Sequence, residues 1–490
     1  MSYIGVDIGS SQVKAAAFAG NGECLYTAYR KYEYQIPEAN AMELDSDEVC
    51  AGAFECIREC AEAVRKISPV RGIACSSQGE AFTCLDRDGK ALCNAMISGD
   101  SRATENIAEF TEKFGREKLY RITGHTPSGM FSLGKILWIK ENKPEVFAET
   151  AHIFCFEDLL AYRLTGMGYI GYPLAGRTMM FDVVRHEWSD EICEAVGVKS
   201  SMFAEALPSG TAAAKISAAA AAELSLDEDV FFVTGGHDQI IGAYGCGAHE
   251  PGMAMYAAGS VECAVPILGR AEFTGELMES NLCTYDSAVK DCYASVGYSL
   301  TGSNLVEYFM REIVRDEARD YGKLLDAMPD EVTDLYVLPY FTPSGTPYFD
   351  AETPGCVYGW RFGTTRETLL KGLLEGVALE MRLNFDFFKR SNLMINKLIA
   401  TGGGFRNRKV VQLHADVLNL PIYLCEEKEA GCRGAAMLVQ RALEERVTIP
   451  APEITGVVYP DAVHASEYEK KFNKWKDFSA NIRNMKLWQS

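Results

Sequence analysis

Asp238 is the carboxylate whose setting in the sequence best suits chemistry. It lies in the stretch TGGHDQIIGAYGCG, residues 234–247. An apolar, strand-like run at 230–233 stops at Gly235-Gly236; Asp238 follows, and a helix of small residues begins with Ile240, Ile241 and Gly242. Paired glycines let a backbone approach a ligand closely, and a strand-to-helix switch presents side chains at the carboxyl edge of a sheet. A carboxylate at that edge can accept a proton from a hydroxyl. It can equally cap the helix that follows. Three further glycine turns at matching places favour the chemical role. GVDIGSSQVK opens the chain, where Gly9, Ser10 and Ser11 offer N–H groups and hydroxyls to phosphate oxygens, with Lys14 beside them. Asp7, just before that turn, is suited to hold Mg²⁺ through water. MAMYAAGS repeats the arrangement at Gly259-Ser260, and LIATGGGF places Gly402-Gly403-Gly404 between a strand and a helix, where a flat base or a phosphate can lie against bare backbone. Gln78 and Glu80 emerge after the buried strand 71–77. They supply the donor and acceptor that a polyhydroxylated ligand needs, or simply solvate a loop.

The elements that position these groups follow from periodicity. Residues 3–34 read as strand, turn, strand, a hairpin rather than a strand–helix unit. Residues 45–67 form an amphipathic helix capped by Asp45 or Ser46, and Lys135, Trp138 and Lys140 ride a helix that ends before Pro144. Residues 212–222, alanine-rich around Lys215, read as one ordinary helix. Residues 304–314, 368–383, 408–418 and 431–440 also read as helices, and the tail carries one near 467–475. A strand–turn–strand grip repeated in two halves implies a duplicated α/β architecture with a nucleotide between the halves.

Composition sets limits. The chain has 490 residues, enough for two or three domains, with 48% hydrophobic and 24% charged residues. A net charge of −20 argues against a nucleic-acid surface, which needs clustered Lys and Arg. The 16 cysteines include no Cys-x-x-Cys pair, and the 7 histidines are dispersed, so neither a zinc site nor a metal-dependent hydrolase is indicated. The cysteines read as reduced thiols. No apolar run approaches the roughly 20 residues that span a bilayer, and no leader precedes the first strand, so a cytoplasmic location without membrane attachment is expected.

The motifs resemble those of the FGGY carbohydrate kinases over most of the chain. MFSLGKILWIKEN, residues 130–142, matches a family signature with Lys135 and Trp138 in place. GVDIGSSQVK resembles the first phosphate motif, GGHDQIIGAYGCG the catalytic-aspartate motif and AAGS the second phosphate motif. TGGGFRNRKVVQLHADVLNLPI with EAGCRGAAML is similar to the adenosine motif. The resemblance implies a duplicated, two-domain actin-like ATPase (ribonuclease H-like) fold with a cleft between the domains. The expected division is a sugar-binding and catalytic domain over 1–248, a nucleotide-binding domain over 249–446 and a packing tail over 447–490. It further implies an ATP- and Mg²⁺-dependent kinase acting on a small sugar or polyol, with a homodimer common among relatives. Asp238 is then the general base and Asp7 lies near the metal. Gly9, Ser10, Ser11, Gly259 and Ser260 face phosphates, Gly302, Gly403 and Asn407 line the adenosine side, and Gln78, Glu80 and Gln239 contact the polyol. Departures concern the acceptor: Gly171 stands where relatives have Asp, Gly79 removes the Arg of the glycerol-kinase Gln-Arg-Glu, and FTPSGTPYF lacks a Gly-Glu-Arg. A non-catalytic nucleotide-binding sensor or assembly protein on the same fold is the alternative. It predicts slow, sugar-independent hydrolysis.

Overall fold

The computed structural model describes residues 1–315, 320–350, 352–444 and 448–486. Two mixed sheets organise it. In the first, strand Ser2–Ile8 pairs antiparallel with Gln12–Ala19 and parallel with Val70–Ser77. Val70–Ser77 in turn pairs parallel with Phe231–His237. In the second, Met253–Ala258 pairs antiparallel with Glu262–Leu268 and parallel with Lys397–Thr401, which pairs parallel with Ile422–Cys425. One pairing scheme therefore occurs twice, and the chain has the duplicated two-domain α/β fold of the actin and ribonuclease H-like ATPases, with a cleft between the domains.

Local chemistry explains why these stretches form these elements. Ala15, Ala16, Ala17 and Phe18 are all fully buried, because the strand Gln12–Ala19 is covered on both faces and only small or apolar side chains fit. Helix Ser46–Val64 lies against this hairpin and starts at Asp45, whose carboxylate accepts from the N–H groups of Asp47 and Glu48. The helix that carries Asp238, Asp238–Gly245, crosses helix Ala430–Glu444 backbone to backbone. A Cβ on Gly245 would fall 2.0 Å from the Ala430 carbonyl oxygen, and one on Gly434 would fall 2.1 Å from that of Ile241. The helix expected over 431–440 thus belongs to the surface that joins the halves.

Three readings need correction. Residues 212–222 are not one helix: Ala212–Lys215 is an edge strand paired antiparallel with Phe231–His237, and a short helix, Ala218–Glu223, starts only after Ser217 caps it. Alanine permits a helix, but a free sheet edge overrode that preference. The helix expected over 304–314 is α-helical at Ser303–Tyr308 and widens to a π-helix over Phe309–Val314. The tail helix is longer than expected, Ala462–Met485. Its Trp475 is fully buried and donates to the Val337 carbonyl at 2.7 Å, which fastens it to the second domain. The domain boundary expected at 446/447 lies outside the described residues. Among the described residues no helix is long and apolar enough to cross a membrane.

Candidate functional site

Asp238 is the first residue of its helix and stands at the carboxyl end of strand Phe231–His237. Its Oδ1 accepts from the Gln239 N–H at 2.6 Å and lies 3.2 Å from His237 Nε2. The side chain keeps 30% exposure, so the carboxylate both ties the first helical turn and opens to solvent. Its surroundings push its pKa up to about 7: burial is the main cause and the negative charge of Asp7 adds to it, against hydrogen bonds from Gln239 and the pull of Arg177. A carboxylate poised there can take a proton near neutral pH.

Asp7 stands two strands away, next to Ser76 in the register, and Ser76 Oγ donates to it at 2.6 Å. Burial raises its pKa, opposed by Ser76 and Lys14. Helix Ala430–Glu444 presses its first turn here, since a Cβ on Gly431 would meet Asp7 Oδ1 at 2.7 Å. The Gly9 turn closes with Gly9 N–H donating to the Gln12 carbonyl at 3.0 Å and leaves Ser10 and Ser11 exposed at its tip. Lys14 pairs with Glu429 at 3.0 Å; burial works against its charge, and Glu429 outweighs that and raises its pKa. One half-buried carboxylate beside a turn with the exposed Ser10 and Ser11 at its tip fits a magnesium ion that arrives on phosphates. Among the described residues there is no cluster of three His, Cys, Asp or Glu that would hold a metal alone.

The second turn has the same form: Gly259 N–H donates to the Val261 carbonyl at 3.0 Å, with Ser260 exposed. Beside it, Gly302, Ser303, Val306, Tyr321, Leu325 and Gly403 border a cavity of about 420 Å³. Gly302 and Gly403 therefore share one space, walled by backbone on two sides. Asn407 is elsewhere engaged: its Oδ1 accepts from the Lys409 and Val410 N–H groups and its Nδ2 donates to Asp326 at 2.8 Å, so it caps helix Arg408–Leu418.

At the end of the strand next to that of Asp238, Gln78 and Glu80 are buried rather than solvated. Gln78 Nε2 donates to the Gly9 carbonyl at 2.9 Å, while its Oε1 is buried without a partner among the described residues. Glu80 forms an ion pair with Arg177 and accepts from Ser98 Oγ at 2.6 Å. Its φ of 63° is unusual for a side chain of this size and marks a loop held by its surroundings. That hold comes from Ser132 Oγ, which donates to the Glu80 carbonyl at 3.0 Å, and from Lys135. Its buried ammonium donates to the Ile97 carbonyl at 2.9 Å and to that of Met96 at 3.3 Å, and lies 3.5 Å from the Glu80 carbonyl; burial lowers its pKa to about 7. Gln239 is half-buried next to Asp238. Asp100 and Arg102 pair with each other and with Glu43, and Arg102 stacks on Trp138 at 4.4 Å, which is a structural use.

Sequence reasoning gave no role to Arg177, His237, Tyr285 or Glu157. His237 is adjacent to Asp238, and its neighbour's importance was the available signal. Glu157 accounts for Gly171: its carboxylate accepts from the Gly171 and Gly235 N–H groups at 3.1 and 2.7 Å, and a Cβ at 171 would fall 2.3 Å from the Gly235 carbonyl oxygen.

Two sheets of one pattern, two glycine turns and a glycine-walled cavity define a two-domain nucleotide-binding protein of the actin-like architecture. Comparison with known proteins specifies the family. The profile of the FGGY family of carbohydrate kinases, N-terminal domain, matches residues 2–245, and that of its C-terminal domain matches residues 276–443. The chain belongs to this family. It is 26% identical to a xylulose kinase of Bacillus subtilis over 99% of this chain and 98% of that one. It is 27% identical to a glycerol kinase of Oceanobacillus iheyensis over 99% and 98%. The crystal structure of gluconate kinase from Lactobacillus acidophilus superimposes with a TM-score of 0.91 at 21% identity, covering 99% of each chain.

Proposed function

We propose that the protein is an ATP-dependent kinase that transfers the γ-phosphoryl group to a hydroxyl of a small sugar or polyol, with Asp238 as general base. The observation that carries this reading is the Asp238 carboxylate itself: open to solvent, its pKa raised to about 7, at the end of a strand whose neighbour ends in the buried polar pair Gln78 and Glu80, with the Gly9 turn at the end of the next strand beyond. The similarity to kinases of three different acceptors supports phosphoryl transfer and leaves the acceptor to experiment.

Bound ATP with Mg²⁺ supplies the transferable phosphoryl group and neutralises its oxygens. The chain's own groups do the rest. Asp238 takes the proton of the acceptor hydroxyl, while Gln239, Gln78 and Glu80 orient the polyol. Asp7 sits beside the phosphate turn, where it would hold the metal. The N–H groups at Ser10, Ser11 and Ser260 face phosphate oxygens, on turns that Gly9 and Gly259 close with their own N–H groups, and Lys14, tied to Glu429, adds positive charge behind the first turn. Gly302 and Gly403 offer flat walls for the nucleoside, and Asn407 shapes that side through its helix cap. Closure of the cleft excludes water as a competing acceptor. A homodimer and a cytoplasmic location, without nucleic-acid or membrane partners, complete the proposal. The 1–248, 249–446 and 447–490 division assigns sugar, nucleotide and packing roles in turn.

The test is a panel of polyols, ketoses and sugar acids with coupled detection of ADP. Acceptor-dependent ADP release, abolished in Asp238→Asn while ATP still binds, is expected. Hydrolysis that no acceptor stimulates would favour the sensor or assembly reading instead.

A further inference from the structure

His237 is buried between Asp238 and Tyr285, and each of its ring nitrogens faces one of them. Nε2 lies 3.2 Å from Asp238 Oδ1, and Nδ1 lies 2.8 Å from the Tyr285 hydroxyl. The polarity of this chain follows from chemistry. An ionised carboxylate only accepts, so with Asp238 ionised an Nε2 lying 3.2 Å from Oδ1 is favourable when it carries the ring hydrogen. Nδ1 is then the acceptor, and the single hydrogen of the Tyr285 hydroxyl must point at it. Tyr285 is fully buried, so this hydroxyl has few other uses.

The charged and titratable groups around the ring keep it neutral. Arg177 packs over the rings of Phe131 and Tyr285 at 4.8 and 5.8 Å, with Glu80 as its counter-ion. His125 packs against Tyr285 at a tilt of 56° with centroids 5.0 Å apart, and its Nδ1 donates to the Thr123 carbonyl at 2.7 Å. Burial, then Arg177, then His125, hold the His237 pKa well below the usual histidine range. Asp7 acts on Asp238 from the far side. A neutral ring with its hydrogen on Nε2 turns the positive end of that N–H dipole toward Asp238 without adding a full positive charge, so it favours the carboxylate while leaving it basic.

The space for the ring comes from Gly79. A Cβ there would fall 2.9 Å from both Cδ2 and Nε2 of His237 and 3.2 Å from Arg177 Nε. Any side chain at 79 would thus displace the ring from Asp238. We propose that His237 is a positioning residue for the Asp238 carboxylate, locked in its Nε2–H form by Tyr285 and admitted to that place by Gly79. The inference rests on the reading of Asp238 as general base. Oδ1 accepts from the Gln239 N–H at 2.6 Å and rests against His237 Nε2 at 3.2 Å, which limits how the carboxylate can turn.

The experiment uses the full chain with the best acceptor from the panel. In His237→Asn the side chain is too short to reach Asp238, whereas Gln places an amide N–H where Nε2–H stands. His237→Asn is expected to lower kcat by about 10–100-fold with little change in the KM for ATP. The acid limb of its kcat/KM profile moves up by about one pH unit, because a lost donor destabilises the ionised carboxylate. His237→Gln restores most of both. Tyr285→Phe gives a smaller shift in the same direction. ¹⁵N-histidine NMR of the protein without ligands should show the Nε2–H tautomer for His237, lost in Tyr285→Phe. An unmoved acid limb in His237→Asn, a Gln variant no better than Asn, or an Nδ1–H tautomer overturns the inference. If His237→Asn does not fold, the NMR tautomer and the Tyr285→Phe profile decide. Activity retained in Asp238→Asn would instead remove the base itself, so the two failures are distinguishable.

Discussion

The two sheets share one topology and differ in what their corners carry. In the first, the strand Val70–Ser77 runs into Gln78-Gly79-Glu80, and the strand before the glycine turn carries Asp7. In the second, the corresponding strand Lys397–Thr401 runs into Gly402-Gly403-Gly404, and the position matching Asp7 is Ala257. The first corner is furnished with side chains, several of them buried and charged. The second offers bare glycine backbone at the strand end, with the side chains of Val306, Tyr321 and Leu325 around it. A hydroxylated acceptor is recognised by hydrogen bonds of definite direction, which side chains supply. A flat ring is recognised by close approach, which side chains obstruct. Duplication provided two equivalent corners, and their contents assign them to different ligands. Variants at the two corners should therefore fail in different ways.

The largest effect belongs to Asp238→Asn. We expect kcat to fall about 10²–10⁴-fold, as for a lost general base. In the parent enzyme kcat/KM rises with pH through about 7 as Asp238 loses its proton. The same variant should unfold at a higher temperature than the parent at pH 8. The carboxyl has its pKa raised from 3.8 to about 7 on folding, so its favourable contribution is complete below 3.8 and is lost as the pH rises through 7. Asn carries no such dependence, and its lead in melting temperature should shrink toward pH 5. A variant less stable than the parent at pH 8 would show that the carboxylate is satisfied by its neighbours rather than held at a cost.

Arg177→Ala is expected to be next. It leaves Glu80 charged and buried, and the loss should be about 3–5 kcal/mol in a denaturant titration. Glu80→Gln in the same background should recover part of it. If Arg177→Ala leaves the denaturation midpoint where it was, the first corner is less tightly built than its contacts indicate.

How far the sequence discloses this contrast depends on the kind of interaction. Asp7, Gly9, Asp238, Gly259, Gly302 and Gly403 stand at abrupt ends of apolar strands, and such ends are readable from pattern alone. The cap at Asp45 and the helix 408–418 are local in the same sense. Arg177, Tyr285 and Glu157 act across long separations: Arg177 meets Glu80 from 97 residues away, and Tyr285 meets His237 from 48. No local rule joins such pairs. The strand at 212–215 was hidden for the converse reason, since its alanines satisfy a helix as well as a strand and only the neighbouring edge decides.

At the bare corner, Gly302→Ala should be felt mainly in ATP. The added carbon would lie 2.8 Å from the Gly259 carbonyl oxygen and 3.0 Å from that of Ser260, so the second phosphate turn must shift. We expect kcat/KM for ATP to fall about 10–100-fold, with the acceptor KM little changed. An equal loss for both substrates would mean that the corners do not divide the ligands.

Asn407→Ala should be the mildest and the most discriminating. The Asn407 side chain accepts from two N–H groups of its own helix and donates to Asp326, so its polar atoms are already in use. Loss of such a cap costs about 1 kcal/mol. If Asn407 serves the nucleotide only by starting helix Arg408–Leu418, the variant lowers the melting temperature and leaves the KM for ATP close to the parent's, and Asn407→Asp, which still caps, restores the stability. If instead the KM for ATP rises by tenfold with the melting temperature unchanged, a side chain contacts the nucleotide at the corner described as bare, and the division between side-chain and backbone recognition has to be redrawn there.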